Sequence, residues 1–170
     1  MNYFELFEFP IQLSIDKNNL KKKYLELSRR FHPDYFVQQN ANAQQEALEK
    51  SALINRAYKT FSDADETIKY VLELKSLLQA NEKYNLPPDF LMEMMELNED
   101  LADIVPSPAI KEQAFENVTR IESELYQPIA SIILNYKEGH TTEEELLAVK
   151  DYYFKKKYIA RLKQQLTEKL

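Results

Sequence analysis

The chain has 170 residues, 44% of them hydrophobic, and carries 22 Lys and Arg against 28 Asp and Glu for a net charge of −6. Its length suits one domain or two small ones, and its acidic balance makes it a poor general binder of polyanions, so nucleic acid is not an expected partner. The absence of cysteine and the single glycine, Gly139, remove disulfides, thiolate sites and the glycine-rich phosphate loops of Walker and Rossmann sites, and suit a reducing compartment, the cytosol by default.

The N-terminal run Met1 to Phe9 is interrupted by Glu5 and Glu8 and lacks a basic segment, and no later stretch approaches ~18 uncharged apolar residues. Neither a leader nor a membrane span is expected. Tyr3 to Phe7 predicts a short helix ended by Pro10. Asp16 is placed to cap a second helix in which Leu20, Tyr24, Leu27 and Phe31 recur on one face, and Pro33 ends it, because a residue before proline is pushed out of the α region. The polar stretch Gln38 to Gln45 reads as a loop leading into a third helix, from about Ala43 to Phe61, with Ala47, Ile54, Ala57, Tyr58 and Phe61 on its inner face. These two helices are expected to form an antiparallel hairpin with His32-Pro33-Asp34 at its tip. A further apolar segment, Ile68 to Leu78, leads toward Asn85-Leu86-Pro87-Pro88.

Past Pro88 the spacing predicts three helices: Asp89 to about Val105, Ala109 to Glu138, and Thr142 to the C-terminus. Pro106 and Pro108 separate the first two, and Pro128 is expected to kink or break the middle one. Gly139 reads as the residue just past a helix end and Thr142 as the next cap, with Glu145 at capping-box spacing. The fold class is therefore all-α, an N-terminal hairpin followed by a C-terminal three-helix bundle, divided as 1–76, a linker 77–88, and 89–170.

On the second helix Lys22 and Arg29 fall opposite the apolar stripe, with Lys23 and Arg30 flanking them, so a positive face is expected to border the tripeptide loop and to steer an acidic partner surface. On the helix after Pro88, Phe90, Met94, Leu97, Leu101 and Ile104 share a core stripe, whereas Leu91, Met92 and Met95 point away from it, among Glu96 and Glu99. An interdomain contact is one use of this second apolar face. A binding surface of adaptable Met and Leu side chains rimmed by carboxylates is the other.

Tyr3 to about Leu74 resembles a J-domain: Tyr3-Phe4-Glu5-Leu6-Phe7 is similar to its opening, Tyr24 to Asp34 to its second helix and loop, and Ile54-Asn55-Arg56-Ala57-Tyr58 to its third helix. The resemblance implies that His32, Pro33 and Asp34, with basic residues of the second helix, contact a DnaK-type chaperone and trigger its ATP hydrolysis. Tyr35 and Thr67 depart from the family's usual basic residues, which would retune that contact. The segment Phe90 to Glu99 resembles the client-binding helix of the HscB family, the J-proteins of iron–sulfur cluster assembly. This implies delivery of the scaffold protein IscU to the chaperone HscA, or to a general DnaK-type chaperone, through Leu91, Met92, Met95, Glu96 and Glu99 with Phe154 of the last helix. Two alternatives stay open: a J-protein serving a different client, and a helical adaptor that engages no chaperone. Catalysis is not expected, since His32 and Asp34 have no nucleophile or oxyanion donors to complete a site. No cofactor is expected, and the remaining histidine, His140, lacks further ligands at metal-binding spacing.

Overall fold

The computed structural model describes residues 1–102 and 107–168, with the side chains of 100–102 outside the description. The described residues hold eight α-helices and two short 3-10 turns, and no strand. α1 (Tyr3–Phe7) is closed by a reciprocal capping box between Asn2 and Glu5 and ends where Glu8 turns left-handed at φ 56°. α2 (Lys17–Arg30) starts at Asp16, whose carboxylate accepts the Asn19 N–H at 2.8 Å. α3 (Ala41–Ser62) begins two residues before the expected Ala43, because Asn40 caps it by accepting the Ala43 N–H at 2.9 Å. Part of the polar Gln38 to Gln45 stretch is thus helix rather than loop, since a good cap outweighs polar composition. α4 (Ala64–Leu74) follows directly, with Asp63 accepting from the N–H groups of Asp65 and Glu66.

The next helices are α5 (Pro88–Ala102) and α6 (Pro108–Tyr126). Val105 and Pro106, at the junction expected between them, lie outside the described residues, as do Ile104 and the Leu101 side chain of the expected stripe. Pro128 interrupts the long middle helix locally, as expected. A 3-10 turn, Gln127–Ile129, replaces the α-helical register there, and α7 (Ala130–Leu134) resumes it for five residues only. The helix expected to reach Glu138 therefore stops at Leu134, and Gly139 is not its terminal cap. Gly139 sits instead at φ +76° in a turn where the N–H groups of His140 and Thr141 both reach the Lys137 carbonyl. The capping box is present as expected, Thr142 Oγ1 accepting from Glu145 N at 3.1 Å and the Glu145 carboxylate from Thr142 N at 2.8 Å. It opens α8 (Glu143–Glu168).

Two apolar clusters form the core. The larger gathers Phe4, Phe7, Leu13, Leu20, Leu27, Ile54, Phe61 and Leu72 from the first half, and also Ile129, Ile133, Leu146, Val149, Tyr152 and Tyr153 from the second. The smaller joins Phe90 and Met94 of α5 to Val118 and Ile121 of α6 and to Ile159, Leu162 and Leu166 of α8. α8 is long enough to serve both: its first half packs on α4 and the N-terminal core, its second half on α5 and α6.

Polar contacts reinforce this junction. Lys156 donates to Asp65 at 2.8 Å, Lys150 to Glu82 at 3.0 Å, and Lys75 pairs with Glu138, whose other oxygen accepts the Tyr136 hydroxyl at 2.7 Å. The hydrogen bond from Lys75 holds the Glu138 carboxyl below the usual range, assisted by Tyr136. Burial lowers the Lys156 value, but the Asp65 hydrogen bond and charge more than offset this and the net direction is upward.

Tyr84, in the 77–88 stretch, donates to Asp151 at 2.8 Å and stacks on Phe154 with ring centroids 4.4 Å apart. Burial, together with that carboxylate, pushes the Tyr84 phenol from 10 up to about 12. With rising pH the unfolded chain releases this proton first, so the stability Tyr84 contributes is intact below pH 10 and is lost between 10 and about 12. Over that interval the thermal midpoint of the wild type is expected to fall more steeply than that of Tyr84→Phe. Parallel curves would show that neither burial nor Asp151 holds the Tyr84 proton.

Candidate functional site

The loop between α2 and α3 is held out by the hairpin beneath it. Tyr24 and Tyr58 stack across the two helices at 4.0 Å, and the Tyr24 hydroxyl donates to Asn55 Oδ1 at 3.0 Å. Phe31, at the end of α2, lies against the core with the Lys50 ammonium 4.6 Å above its ring. Beyond it, Pro33–Phe36 form a 3-10 turn because the fixed φ of Pro33 suits its first position. His32 caps this turn: Nδ1 accepts the Asp34 N–H at 3.3 Å, while its carbonyl accepts from Tyr35 at 3.1 Å. The same nitrogen lies 3.6 Å from the Asp34 carboxylate. The side chains of His32 and Asp34 are 53% and 83% exposed, so the turn shows a partner an imidazole, a rigid ring and a carboxylate.

The basic face of α2 differs from expectation at one residue. Lys22, Arg29 and Arg30 are exposed, but Lys23 turns inward, its ammonium paired with Glu8 and Glu26. The Glu8 hydrogen bond raises the Lys23 pKa and lowers that of Glu8. Helical spacing sets Lys23 beside Lys22 and Arg29 on the basic face and gives no sign of Glu8, which arrives from the end of α1. Exposed Lys21 and Leu25 extend the same face and were not anticipated, although their spacing from Arg29, eight and four residues, is helical.

Thr67 also differs from expectation. It is buried, and its hydroxyl donates to the Asp63 carbonyl at 2.8 Å, closing the corner between α3 and α4. It therefore cannot touch a partner, whereas Tyr35 is exposed beside His32, with ring centroids 6.0 Å apart.

On α5 the two faces separate as the sequence predicts. Phe90 and Met94 are buried and Leu97 is partly so, with the Phe90 ring edge-on to Tyr158 at 5.9 Å. Met92 and Met95 are 61% and 59% exposed. Leu91 is half-buried, and Glu96 and Glu99 are exposed. Phe154 is half-buried, with one ring face spent on Tyr84 and the rest packed against the larger cluster. His140 is exposed in its turn, its Nδ1 3.2 Å from the Glu138 carbonyl. Among the described residues no group of three or more His, Cys, Asp or Glu is arranged to hold a metal ion, and no helix is long and apolar enough to cross a membrane.

A helical hairpin that presents a capped His-Pro-Asp turn defines a J-domain protein, and the model of the DnaJ domain matches residues 2–70. The model of the HSCB C-terminal oligomerisation domain matches residues 86–167. Co-chaperone protein HscB homologs of Vibrio cholerae and Vibrio campbellii are 34% and 32% identical to this chain, in each case covering 98% of it and 95% of the relative. The structure of chaperone HscB from Vibrio cholerae, 32% identical, superposes with a TM-score of 0.76 over 99% of this chain and 96% of that one. Human co-chaperone protein HscB, 25% identical, gives 0.82 over 99% and 82%. The chain belongs to the HscB family of co-chaperones.

The two faces of α5 differ in what their truncation costs. Met94→Ala empties a buried position and is expected to lose about 2–5 kcal/mol of stability. Met92→Ala and Met95→Ala are expected to cost no more than about 0.5 kcal/mol each. Urea unfolding measures all three, and equal losses would put the exposed pair in the core.

Proposed function

We propose that this chain stimulates ATP hydrolysis by a DnaK-type, HscA-like chaperone and delivers to it an IscU-like iron–sulfur scaffold protein, in the cytosol. The observation that carries this reading is the outward display of His32 and Asp34 at the tip of a braced hairpin, on a chain that also exposes the Met92/Met95 face. His32, Pro33 and Asp34 make the activating contact. Lys22, Arg29 and Arg30 steer an acidic chaperone surface toward it, and Lys23 contributes by tying the middle of α2 to the end of α1 rather than by direct contact.

Residues 1–76 act as the J-domain, 77–88 as the connection and 89–170 as the client-binding part. Leu91, Met92 and Met95 supply apolar contact to the scaffold, Glu96 and Glu99 give it orientation, and Phe154 joins them through its match to the family's binding residue. The chain does no chemistry itself and needs no cofactor; the cluster is cargo of the scaffold. Its part is to bind two proteins and couple one to the other's ATP cycle.

His32→Gln is expected to leave helicity and thermal unfolding unchanged while abolishing stimulation of the chaperone's steady-state ATPase. Retained stimulation would remove the turn from the mechanism. Leu91→Ala with Met92→Ala and Met95→Ala is expected to weaken scaffold binding at least about tenfold by calorimetry without loss of ATPase stimulation. Unchanged affinity would assign that face another role.

A further inference from the structure

The connector between the two halves runs Glu82-Lys83-Tyr84-Asn85-Leu86-Pro87-Pro88, with Tyr84 as its one aromatic residue. Among the described residues no backbone hydrogen bond joins 83–85 to the rest of the chain, and Lys83 and Asn85 are exposed. The segment is anchored at its ends instead, where Glu82 pairs with Lys150 and Leu86 packs against the smaller cluster. Between these anchors the Tyr84 side chain is the tie to α8. Its ring lies parallel to that of Phe154, with 5° between the planes and 4.4 Å between centroids, and its hydroxyl donates to Asp151 at 2.8 Å.

This tie has a cost for Phe154. A ring offers most of its apolar contact through its faces, and here Tyr84 of the same chain takes one face while Tyr153 stands against the ring at 5.2 Å, 75° between the planes. Phe154 is thus covered, whereas Met92 and Met95 are open. We propose that Tyr84 is a built-in competitor of the client at Phe154: its ring stands where an apolar side chain of the scaffold would stack. The scaffold engages α5 first and gains Phe154 as Tyr84 swings out, a local movement because the anchors at Glu82 and Leu86 stay in place. The affinity of the whole surface is then lowered by the fraction of molecules in which Tyr84 is closed. This rests on the function proposed above and deepens it, making Tyr84 the residue that sets client affinity.

The test is calorimetry of the full-length protein with a cluster-free IscU-like scaffold. Tyr84→Ala is expected to tighten binding about fivefold, and Tyr84→Phe, which keeps the stack and loses the hydrogen bond to Asp151, to tighten it less. Phe154→Leu added to Tyr84→Ala should remove the gain, a non-additivity that a merely looser connector would not produce. In the wild type the ring-proton shifts of Tyr84, displaced by the Phe154 ring, should move to those of an unstacked tyrosine at saturating scaffold. Should Tyr84→Ala unfold, Tyr84→Phe and these shifts decide. Unchanged or weaker binding by the Tyr84 variants, a gain that survives Phe154→Leu, or ring shifts that stay put with scaffold bound each overturn the proposal while leaving the binding role of α5 intact. Wild-type affinity in the triple variant at Leu91, Met92 and Met95 overturns the reading beneath it, and this proposal with it.

Discussion

α8 is shared. One continuous helix supplies Leu146, Val149, Tyr152 and Tyr153 to the core built on the N-terminal hairpin, and Ile159, Leu162 and Leu166 to the core under α5 and α6. A helix rises 1.5 Å per residue and resists bending in the absence of proline or glycine, and α8 contains neither. The two cores are thus held at a fixed separation and rotation along one rod. Lys156 to Asp65, Lys150 to Glu82 and Lys75 to Glu138 then tie the rod and the turn before it to the N-terminal half.

This arrangement bears on function through geometry. On the proposed function the protein must present two surfaces in a constant relation, and the exposed side chains of each, His32 and Asp34 on one and Met92 and Met95 on the other, are not asked to hold the fold together. The turn at Pro33–Phe36 is fixed from below by the Tyr24/Tyr58 stack and the self-capping of His32, which leaves its outer atoms free. On α5 the core is satisfied by Phe90 and Met94, which leaves Met92 and Met95 free in the same way. Methionine suits such a position because its unbranched, polarisable side chain adapts to a partner at low cost.

Much of this was legible in the sequence. Helical periodicity gave the all-α class, the hairpin, the exposed tripeptide and both faces of α5, because in each case 3.6-residue spacing places local neighbours on one side of one element. What was hidden depended on residues far apart in the chain. Lys23 looks like a member of the basic face until Glu8 is brought beside it. Thr67 stands where the family resemblance led one to expect a chaperone contact, but it closes a corner between α3 and α4. The middle helix passes through a 3-10 turn at Pro128 and ends at Leu134 rather than Glu138, the residues after it being used for the turn that starts α8. Periodicity likewise says nothing of one helix serving two cores, which is a matter of how long α8 runs past each of its neighbours.

Native-state hydrogen exchange tests the shared helix most directly. If the two halves are one cooperative unit, the slowest amides of α4, at Val71 and Leu72, and those of the first half of α8, at Val149 and Tyr152, must open together. Their opening free energies should agree within about 0.5 kcal/mol and fall with the same denaturant slope. Exchange of the α4 amides through a separate opening, with lower free energy and smaller slope while α8 stays protected, would contradict the account.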